Sequence, residues 1–213
     1  MQTHAEDLRS QWMSHGLSRD ELKPNPVQQF ECWYTQAIES GIAEPNAMSL
    51  ATVDANNQPW IRTVLLKIYD DSGFVFFTNY ESDKAKQLEV NNRIALLFPW
   101  VALGRQVKIC GTAKKISSAE SLKYFASRPR GSQIGAWASP QSQVISSRSL
   151  LDAKFDEIKQ KFARGEVPLP SFWGGYRVNP FEIEFWQARG ERLHDRFVYT
   201  KVGGNWEIER RAP

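Results

Sequence analysis

Alternation of apolar and polar residues predicts short β-strands along most of the chain. Strands are expected at residues 48–53, 60–69, 74–78, 93–100, 106–116, 176–178, 181–186, 196–201 and 206–210. Turn sequences at 70–73 and 202–205 join neighbouring strands. Because most connections are too short for a crossover helix, the pattern predicts an antiparallel sheet, and a closed β-barrel in preference to a βαβ sheet.

Helical periodicity occurs between the strands. Helices are expected at residues 26–41, 82–90, 117–127 and 149–164. Asn25 and Pro26 form a start signal for the first helix, and Ser117 with Glu120 forms a capping-box pattern at the third. The predicted class is mainly β with added helices (α+β). We expect a single domain of residues 26–213, preceded by a partly mobile N-terminal arm of residues 1–25.

Composition excludes several classes of protein. The chain has 213 residues, of which 41% are hydrophobic and 24% charged, so it can bury one sizeable core. No apolar run approaches the roughly 20 residues of a membrane span, and the N-terminus lacks a signal sequence, so a cytoplasmic protein is expected. Cys32 and Cys110 share no CxxC motif and no ligand spacing with the histidines, which predicts reduced, buried thiols and no metal site.

The net charge of +3 is the sum of two unlike halves. Residues 1–106 carry 9 basic and 13 acidic side chains, whereas residues 107–213 carry 18 and 11. A basic half could serve a polyanion, a phosphorylated ligand or only a solvated helix surface. The basic residues are scattered over several motifs, which disfavours an extended polyanion-binding surface.

The clearest motif lies at residues 191–196. Arg192, His194 and Arg196 fall at alternate positions, which would put all three on one face of a strand. Trp186 ends the preceding predicted strand, and a short connection would bring its indole beside that face. A bound anion or cofactor would explain the arrangement, and an exposed polar strand face is the alternative.

A second set of residues suits a phosphate group. Tyr124 and Arg128 are one turn apart on a predicted helix, and Ser132 follows shortly after. Two hydroxyls and a guanidinium suit a phosphate monoester, because Arg can bind its oxygens bidentately. Capping of the helix C-terminus is the alternative role of Arg128.

Further cations lie near a helix start and on a strand. Lys84 opens a predicted helix, where free N–H groups favour an anion, although Asp83 beside it would repel one. Arg62 and Lys67 are an odd number of residues apart, so strict alternation puts them on opposite faces unless a bulge, strong twist or subunit interface intervenes. Neither GxGxxG nor GxxxxGK[ST] occurs, so any cofactor must be held by side chains of a β scaffold.

Six longer motifs stand in order along the chain. They are RTVLLK at 62–67, FTN at 77–79, SRPRGSQIGAW at 127–137, PLPSFWGGY at 168–176, EFWQ at 184–187 and RLHDRF at 192–197. This set, spanning about residues 8–213, resembles the pyridoxamine (pyridoxine) 5′-phosphate oxidase family. The resemblance implies an FMN-binding split β-barrel that forms a homodimer, with FMN in clefts at the subunit interface. It also implies oxidation of pyridoxine or pyridoxamine 5′-phosphate to pyridoxal 5′-phosphate, with O₂ reoxidising the flavin to give hydrogen peroxide.

The same resemblance implies roles for individual residues. The cofactor positions are Arg62, Thr63, Val64, Leu65, Leu66, Lys67, Phe77, Thr78, Asp83, Lys84, Gln106, Gln141, Ser142, Trp186 and Arg196. The substrate positions are Arg9, Trp12, Lys67, Tyr124, Arg128, Ser132, Arg192 and His194. Arg192 and His194 would orient the pyridine ring for hydride transfer from its C4′ to flavin N5, and the arm would fold over the substrate.

Three positions depart from the family pattern. Asp83 stands where many relatives have Arg beside the FMN-binding lysine, Phe77 replaces a common Tyr, and Trp12 stands where a Tyr of the arm often lies. Because Asp83 removes one phosphate contact and adds a like charge, we expect weaker FMN binding than in Arg-bearing relatives.

Two other functions use the same barrel. A related flavin oxidase of the phenazine-pathway type acts on unphosphorylated aromatic intermediates and has no use for a phosphate-binding set. A non-catalytic flavin-binding protein would have no use for the pair Arg192 and His194. The retained residues of both sets favour the phosphate oxidase.

Overall fold

An antiparallel sheet of nine strands forms the centre of the computed structural model, which describes residues 4–213. Its strands are β1 Ala47–Val53, β2 Pro59–Leu65, β3 Ile68–Asp70, β4 Gly73–Asn79, β5 Arg93–Trp100, β6 Arg105–Lys115, β7 Trp173–Gln187, β8 Asp195–Val202 and β9 Asn205–Arg211. Every predicted strand run contributes to this sheet. The expected α+β class with an antiparallel sheet is therefore confirmed.

Six α-helices surround the sheet in the described part of the chain. They are α1 His4–His15, α2 Pro26–Glu39, α3 Asp83–Val90, α4 Ser118–Ser127, α5 Arg130–Ala138 and α6 Arg148–Lys161. The four predicted helices are present, with Asn25 Oδ1 accepting from Val27 N at the start of α2 and the Ser117 capping box at the start of α4. Among the helices of residues 4–213, none combines the length and the hydrophobicity needed to cross a bilayer.

The strands follow the order β2-β1-β5-β6-β7-β4-β3, and β8 and β9 extend from β7. The ladder ends at β2 and β3, so the sheet is open and the expectation of a closed barrel was wrong. The predicted strand 60–69 breaks after Leu65, because the backbone changes partner there. Leu66 N donates to Asn46 O at 2.9 Å, and Lys67 N donates to Val75 O at 2.9 Å. The second bond ties the chain to β4 immediately before the β3–β4 ladder, which begins at Ile68 paired with Val75.

Strand β7 is the branch point of the sheet. It was predicted as two strands but is continuous over 15 residues. Its first part pairs with β4 and its second with β8, while β6 pairs with it from Tyr176 to Gln187. Pro180 lies where the register with β6 shifts between Cys110 and Gly111, and such an irregularity lets a proline sit inside a sheet.

The main core lies between the sheet and α2. Phe30, which is fully buried, meets the rings of Phe74 and Phe98 at centroid distances of 5.0 and 4.9 Å. A second cluster joins α4, α5 and α6 to β7 through Phe125 and Trp173, 5.3 Å apart. The two cysteines are free and only partly buried, so the predicted burial of their thiols was wrong.

The N-terminal segment packs on this body. Helix α1 lies against a short 3₁₀ turn at Val101–Leu103, and Ala5 and Trp12 contact the main core. Residues 1–3 of the predicted arm lie outside the described residues. The division into an arm of residues 1–25 and a domain of residues 26–213 stays a prediction.

Candidate active site

A cavity of about 660 Å³ opens between β2, β4 and the helices α3, α4 and α5. The residues of its lining that the sequence predicted are Arg62, Thr63, Val64, Leu65, Lys67, Phe77, Thr78, Lys84, Tyr124, Arg128, Ser132 and Gln141. They come from segments far apart in the sequence. The fold therefore brings most of the predicted cofactor and substrate residues to one place.

The cavity is strongly basic. Arg62, Lys67, Lys84 and Arg128 line it, and the lining contributed by residues 4–213 includes no carboxylate. Lys84 is buried and Arg62 and Arg128 are partly buried, and cations that lose hydration without gaining an ion pair are costly. The arrangement therefore suits an anionic ligand.

Lys84 is the clearest example of a desolvated cation that suits an anionic ligand. Its side chain is buried, and within residues 4–213 its Nζ donates only to hydroxyl oxygens, those of Thr78 at 3.2 Å and Ser82 at 3.3 Å. Burial lowers the pKa of Lys84, the charge of Arg62 lowers it further, and the charge of Asp83 opposes both effects. An anion bound here would raise the pKa again and stabilise the charged form.

Arg62 is held in place by β1 and α3. Its guanidinium donates to Leu50 O at 3.1 Å and to Gln87 Oε1 at 2.9 Å, both neutral acceptors. Burial lowers the pKa of Arg62, and the charge of Asp83 opposes that shift. The side chain is thus oriented before any ligand arrives, which reduces the entropy lost on binding.

Arg128 has an unused donor. Its Nη1 is buried and has no hydrogen-bond partner among the described residues, while the guanidinium lies 4.7 Å from the ring centre of Trp173. Burial is the main cause of the lowered pKa of Arg128. Although Arg128 is the C-cap residue of α4, its backbone N–H makes the cap bond, to Phe125 O. An orphaned buried donor points to a ligand atom in the cavity.

Aromatic rings form one wall beside Arg128. Phe77 stacks on Tyr124 with ring centres 3.9 Å apart and on Trp173 at 5.3 Å. Ser132 lies in the first turn of α5, across the Pro129 turn from Arg128. The Tyr124, Arg128 and Ser132 set is therefore brought to one cavity, as the spacing predicted.

The strand break explains how Arg62 and Lys67 reach the same cavity. An uninterrupted strand would place them on opposite faces, and the change of backbone partner at Leu66 removes that restriction. Leu66 itself is 3% exposed and belongs to the main core, so it does not line the cavity.

Two further predicted residues line a neighbouring cavity of about 430 Å³ that shares Arg62 and Lys84 with the first. They are Asp83 and Ser142. Ser142 has a positive φ of 72°, and the adjacent Gln141 accepts from Thr78 Oγ1 at 3.0 Å. The loop is thereby fixed against β4, and the charge of Asp83 acts on both Arg62 and Lys84.

A second group of predicted residues lies elsewhere on the sheet. Gln106, Trp186 and Arg196 are direct partners across β6, β7 and β8, so their side chains share a face. The ring of His194 lies 4.5 Å from that of Trp186. The predicted approach of the indole to His194 is therefore confirmed.

The expected strand through Arg192 and His194 was wrong. Residues Gly190–Arg192 form a 3₁₀ turn, and β8 begins only at Asp195. Glu191 and Arg192 have positive φ values of 54° and 64°, a strained conformation for residues with a side chain. Alternation alone could not reveal this turn.

The backbone sets the tautomer of His194. The N–H of Arg189 donates to His194 Nδ1 at 3.1 Å, and a backbone N–H can only donate. Nδ1 is therefore unprotonated, and the neutral ring carries its proton on Nε2. The imidazole thus offers an Nε2–H donor.

Arg196 and Arg9 complete this second group. Arg196 donates to Glu184 at 3.0 and 3.2 Å and to Ala212 O at 2.8 Å. Arg9 lies over Gly104, where an added Cβ would come within 3.4 Å of its Cγ. Trp12 stacks on the guanidinium of Arg105, 3.7 Å from the ring centre. None of these described residues lines the 660 Å³ cavity, so one chain presents its predicted site as two separate groups.

Comparison with known proteins identifies the family. A profile described as pyridoxamine 5′-phosphate oxidase matches residues 34–162, and one described as the pyridoxine 5′-phosphate oxidase C-terminal dimerisation region matches residues 173–213. The chain belongs to the pyridoxamine 5′-phosphate oxidase family. The division between the two profiles falls between α6 and β7.

Relatives of this family match nearly the whole chain. The pyridoxine/pyridoxamine 5′-phosphate oxidase of Crocosphaera subtropica is 63% identical over 209 residues, covering 97% of this chain and 98% of the relative. A protein of the same name from Aliarcobacter butzleri is 62% identical over 208 residues, with the same coverage.

Solved structures confirm the split-barrel fold. PhzG from Burkholderia lata, in complex with tetrahydrophenazine-1-carboxylic acid, superposes with a TM-score of 0.87 at 29% identity, covering 92% of this chain and 98% of that one. A pyridoxamine 5′-phosphate oxidase-related, FMN-binding protein from Nostoc punctiforme gives 0.72 at 15% identity, covering 90% and 100%. The second match supports the fold alone.

Sequence reasoning missed several residues of the oxidase cavity. These are Asn79, Gly135, Ala136, Ser139 and Trp173. Trp173 lies within the PLPSFWGGY motif, so the signal that could have identified it is the resemblance of that motif to the family. Gly135, Ala136 and Ser139 belong to or follow α5, a helix that the sequence analysis does not predict; Pro129 and Gly131 near its start weaken the helical signal.

Proposed function

We propose that this protein is an FMN-dependent oxidase that converts pyridoxamine 5′-phosphate and pyridoxine 5′-phosphate to pyridoxal 5′-phosphate, with O₂ as acceptor and hydrogen peroxide as second product. The observation that carries the proposal is the basic cavity, which gathers four cations and no carboxylate from the described residues beside an aromatic wall. Family membership and the names of relatives at 62–63% identity support the same reaction.

The residues present suit FMN. The desolvated Lys84 and the oriented Arg62 are the cations available to its phosphate, and the segment from Arg62 to Lys67 would line the flavin. Gln141 and Ser142 close this end of the cavity. When bound, FMN supplies the hydride acceptor and passes the electrons to O₂.

The substrate phosphate is proposed to bind Lys67, Tyr124, Arg128 and Ser132. The buried, unpartnered Nη1 of Arg128 is the donor that most needs such a ligand. A charge-assisted bond there removes the cost of the unsatisfied group, which is of the order of 1–3 kcal/mol. This cost favours phosphorylated over unphosphorylated substrates.

The second group is proposed to handle the pyridine ring. Arg192 and the Nε2–H of His194 are donors suited to orient it, which is a positioning role. Gln106, Trp186 and Arg196 would add contacts to the cofactor, and Arg9 and Trp12 would come from the arm. Since the second group does not line the cavity of its own chain, we propose that it completes the cavity of the other subunit in a homodimer.

A flavin oxidase of the phenazine type is the second candidate, favoured by the TM-score of 0.87 with PhzG. Its substrates as implied above carry no phosphate, so the Arg128 set would have no ligand. A non-catalytic flavin-binding protein would leave Arg192 and His194 without a role. A cytoplasmic location stays a prediction.

One experiment separates these functions. The purified protein is expected to show a flavin spectrum that bleaches anaerobically when pyridoxamine 5′-phosphate is added, and to recover on admission of air. Unphosphorylated pyridoxamine is the matched control and should bleach it far more slowly. A flavoprotein that stays oxidised with both compounds would contradict the proposed reaction.

A further inference from the structure

The chain that follows α1 is held by a polar clasp, which we define as Asp195, Arg189 and Arg210. Asp195 is 7% exposed; its Oδ2 accepts from Leu17 N at 3.0 Å and its Oδ1 from Arg210 Nη1 at 2.6 Å. Arg189 Nη1 donates to His15 O at 2.8 Å. Arg210 Nη2 also donates to Leu17 O at 3.2 Å. The clasp thus binds both donors and acceptors of residues 15–17.

Gly16 lies inside the clasp, where there is no space for a side chain. Its φ is +80°, and an added Cβ would lie 1.7 Å from Arg189 Nη1 and 2.7 Å from Asp195 Oδ2. A side chain at this position could be accommodated only if the clasp opened. The position is therefore restricted to glycine by the clasp as well as by φ.

The clasp also borders the turn that bears Arg192 and His194. Arg189 precedes this turn and holds His194 Nδ1 through its backbone N–H, and Asp195 follows the turn directly. Between them, Glu191 and Arg192 keep positive φ values. Such strained residues persist only where their surroundings fix them, and the clasp fixes both ends of the turn.

We propose that Asp195 is a positioning residue that sets the arm and the substrate-handling turn relative to each other. On one side it holds the chain that leads to Arg9 in α1, and on the other the turn with Arg192 and His194. This inference rests on the proposed function for the roles of those three residues. Opening the clasp is expected to impair substrate handling while FMN stays bound, because the basic cavity contains no clasp residue of the described chain.

Two glycines provide a matched test in the FMN-loaded dimer. Gly16 and Gly41 follow α1 and α2, with φ of +80° and +75°, but an added Cβ at Gly41 meets nothing within 4 Å. Gly16→Ala and Gly41→Ala therefore impose similar backbone strain, and only the first disturbs the clasp. We expect Gly16→Ala to lower kcat/KM for pyridoxamine 5′-phosphate about tenfold, chiefly through KM, and Gly41→Ala to change it less than about twofold.

Asp195→Asn tests the same contact without backbone strain. It should also lower kcat/KM about tenfold with FMN content unchanged, whereas Asp152→Asn, at an exposed pair with Arg148, should behave as the unsubstituted protein. Equal losses in Gly16→Ala and Gly41→Ala, or unchanged kinetics in Asp195→Asn, would overturn the positioning role. If Gly16→Ala does not fold, Asp195→Asn decides.

A readout without turnover separates this inference from the proposed function. Trypsin cleavage at Arg9 and Arg19, both exposed, should be about fivefold faster in Asp195→Asn and Gly16→Ala than in Gly41→Ala. Equal cleavage rates would show that the clasp does not hold the arm. Absence of oxidase activity in the unsubstituted protein would overturn the proposed function and the positioning role with it, and the cleavage rates would still report whether the clasp holds the arm.

Discussion

Desolvation without an acidic hydrogen-bond partner separates two cations of the site, Lys84 and Arg128, from the basic residues of the surface. Lys84 and Arg128 are desolvated and bonded only to neutral groups or to none, whereas Lys154 lies on the surface beside Glu157. The sequence shows that the C-terminal half is basic, but it cannot show which cations lose their water. That difference arises from the packing of α3 and α4 against β4, and it identifies where an anion stabilises the protein most.

Asp83 is the residue through which FMN affinity can be raised. Its charge raises the pKa of Arg62 and Lys84, which shows that it interacts with both cations. Asp83→Arg should lower the dissociation constant for FMN about three- to tenfold, because it removes a like charge and adds a donor. Fluorescence titration of the apoprotein with FMN measures this effect.

Asp83→Asn is the control for that substitution. It removes the negative charge without adding a donor and should give a smaller gain than Asp83→Arg. An unchanged dissociation constant in both variants would show that residue 83 does not act on the cofactor.

Glu184 makes stability depend on pH. Burial alone would raise the pKa of Glu184, but hydrogen bonds from Arg196 and the charge of Lys108 outweigh it and lower the pKa below its usual value. The stabilisation by the charged form is therefore present above the ordinary pKa of about 4.3 and is lost as pH falls through the lowered value. At pH 7, Glu184→Gln should lower the free energy of unfolding by about 1–3 kcal/mol.

Urea unfolding at pH 7 and at successively lower pH measures this difference. It should shrink as pH falls below about 4, because Glu184 is then increasingly protonated in the unsubstituted protein too. Glu157→Gln, at an exposed pair with Lys154, should cost less than about 0.5 kcal/mol. A pH-independent loss in Glu184→Gln would contradict the assignment.

At the level of elements, the features that depend on local sequence, namely helix starts and tight turns, were predicted correctly. Asn25 and the Ser117 capping box start helices where expected, and the Gly203–Gly204 turn, with φ of 55° and 91°, joins β8 to β9. The errors occur where distant contacts override the local pattern. Leu66 is drawn into the core and breaks a strand, and the turn before Asp195 is fixed by the clasp, so neither was visible in alternation of side chains.

Helix α1 is attached to the body through a cation between two indoles. Arg105 is buried, with its guanidinium 3.7 Å from the ring centre of Trp12 and 4.3 Å from that of Trp33. Burial lowers the pKa of Arg105 to about 9. Trp12→Ala should therefore release α1 and speed amide exchange in that helix about tenfold, since a desolvated cation–π contact contributes about 1–2 kcal/mol.

Gln11→Ala is the control, because Gln11 is exposed on the same helix. It should leave amide exchange in α1 nearly unchanged. Equal exchange in Trp12→Ala and the unsubstituted protein would show that the indole does not hold the helix, and the departure from Tyr at this position would then have another origin.

At the level of the whole molecule, the predicted site residues fall into two groups, and local sequence patterns do not show how one chain distributes them. The cavity group lies at the β2 edge and under α3 to α5, and the second group lies on β6, β7 and β8. Strand β2 is an edge strand whose Trp60 and Ile61 are 50% and 71% exposed. The register and branching of β7 place the two groups apart from each other, and no local sequence pattern predicts that register or that branching. An exposed apolar edge next to half of a site is what a dimer with shared sites requires.

The shared site can be tested by mixing two inactive subunits. Arg128→Ala removes a cavity residue and His194→Ala a residue of the second group, and each homodimer should lose at least about tenfold in kcat/KM. In a heterodimer isolated through two different tags, both substitutions fall in one site if each site combines the two groups across the interface. The other site is then intact, so the heterodimer should recover about half of the unsubstituted activity. If each site instead belonged to one chain, every site of the heterodimer would carry one substitution, and its activity would remain the mean of the two inactive homodimers.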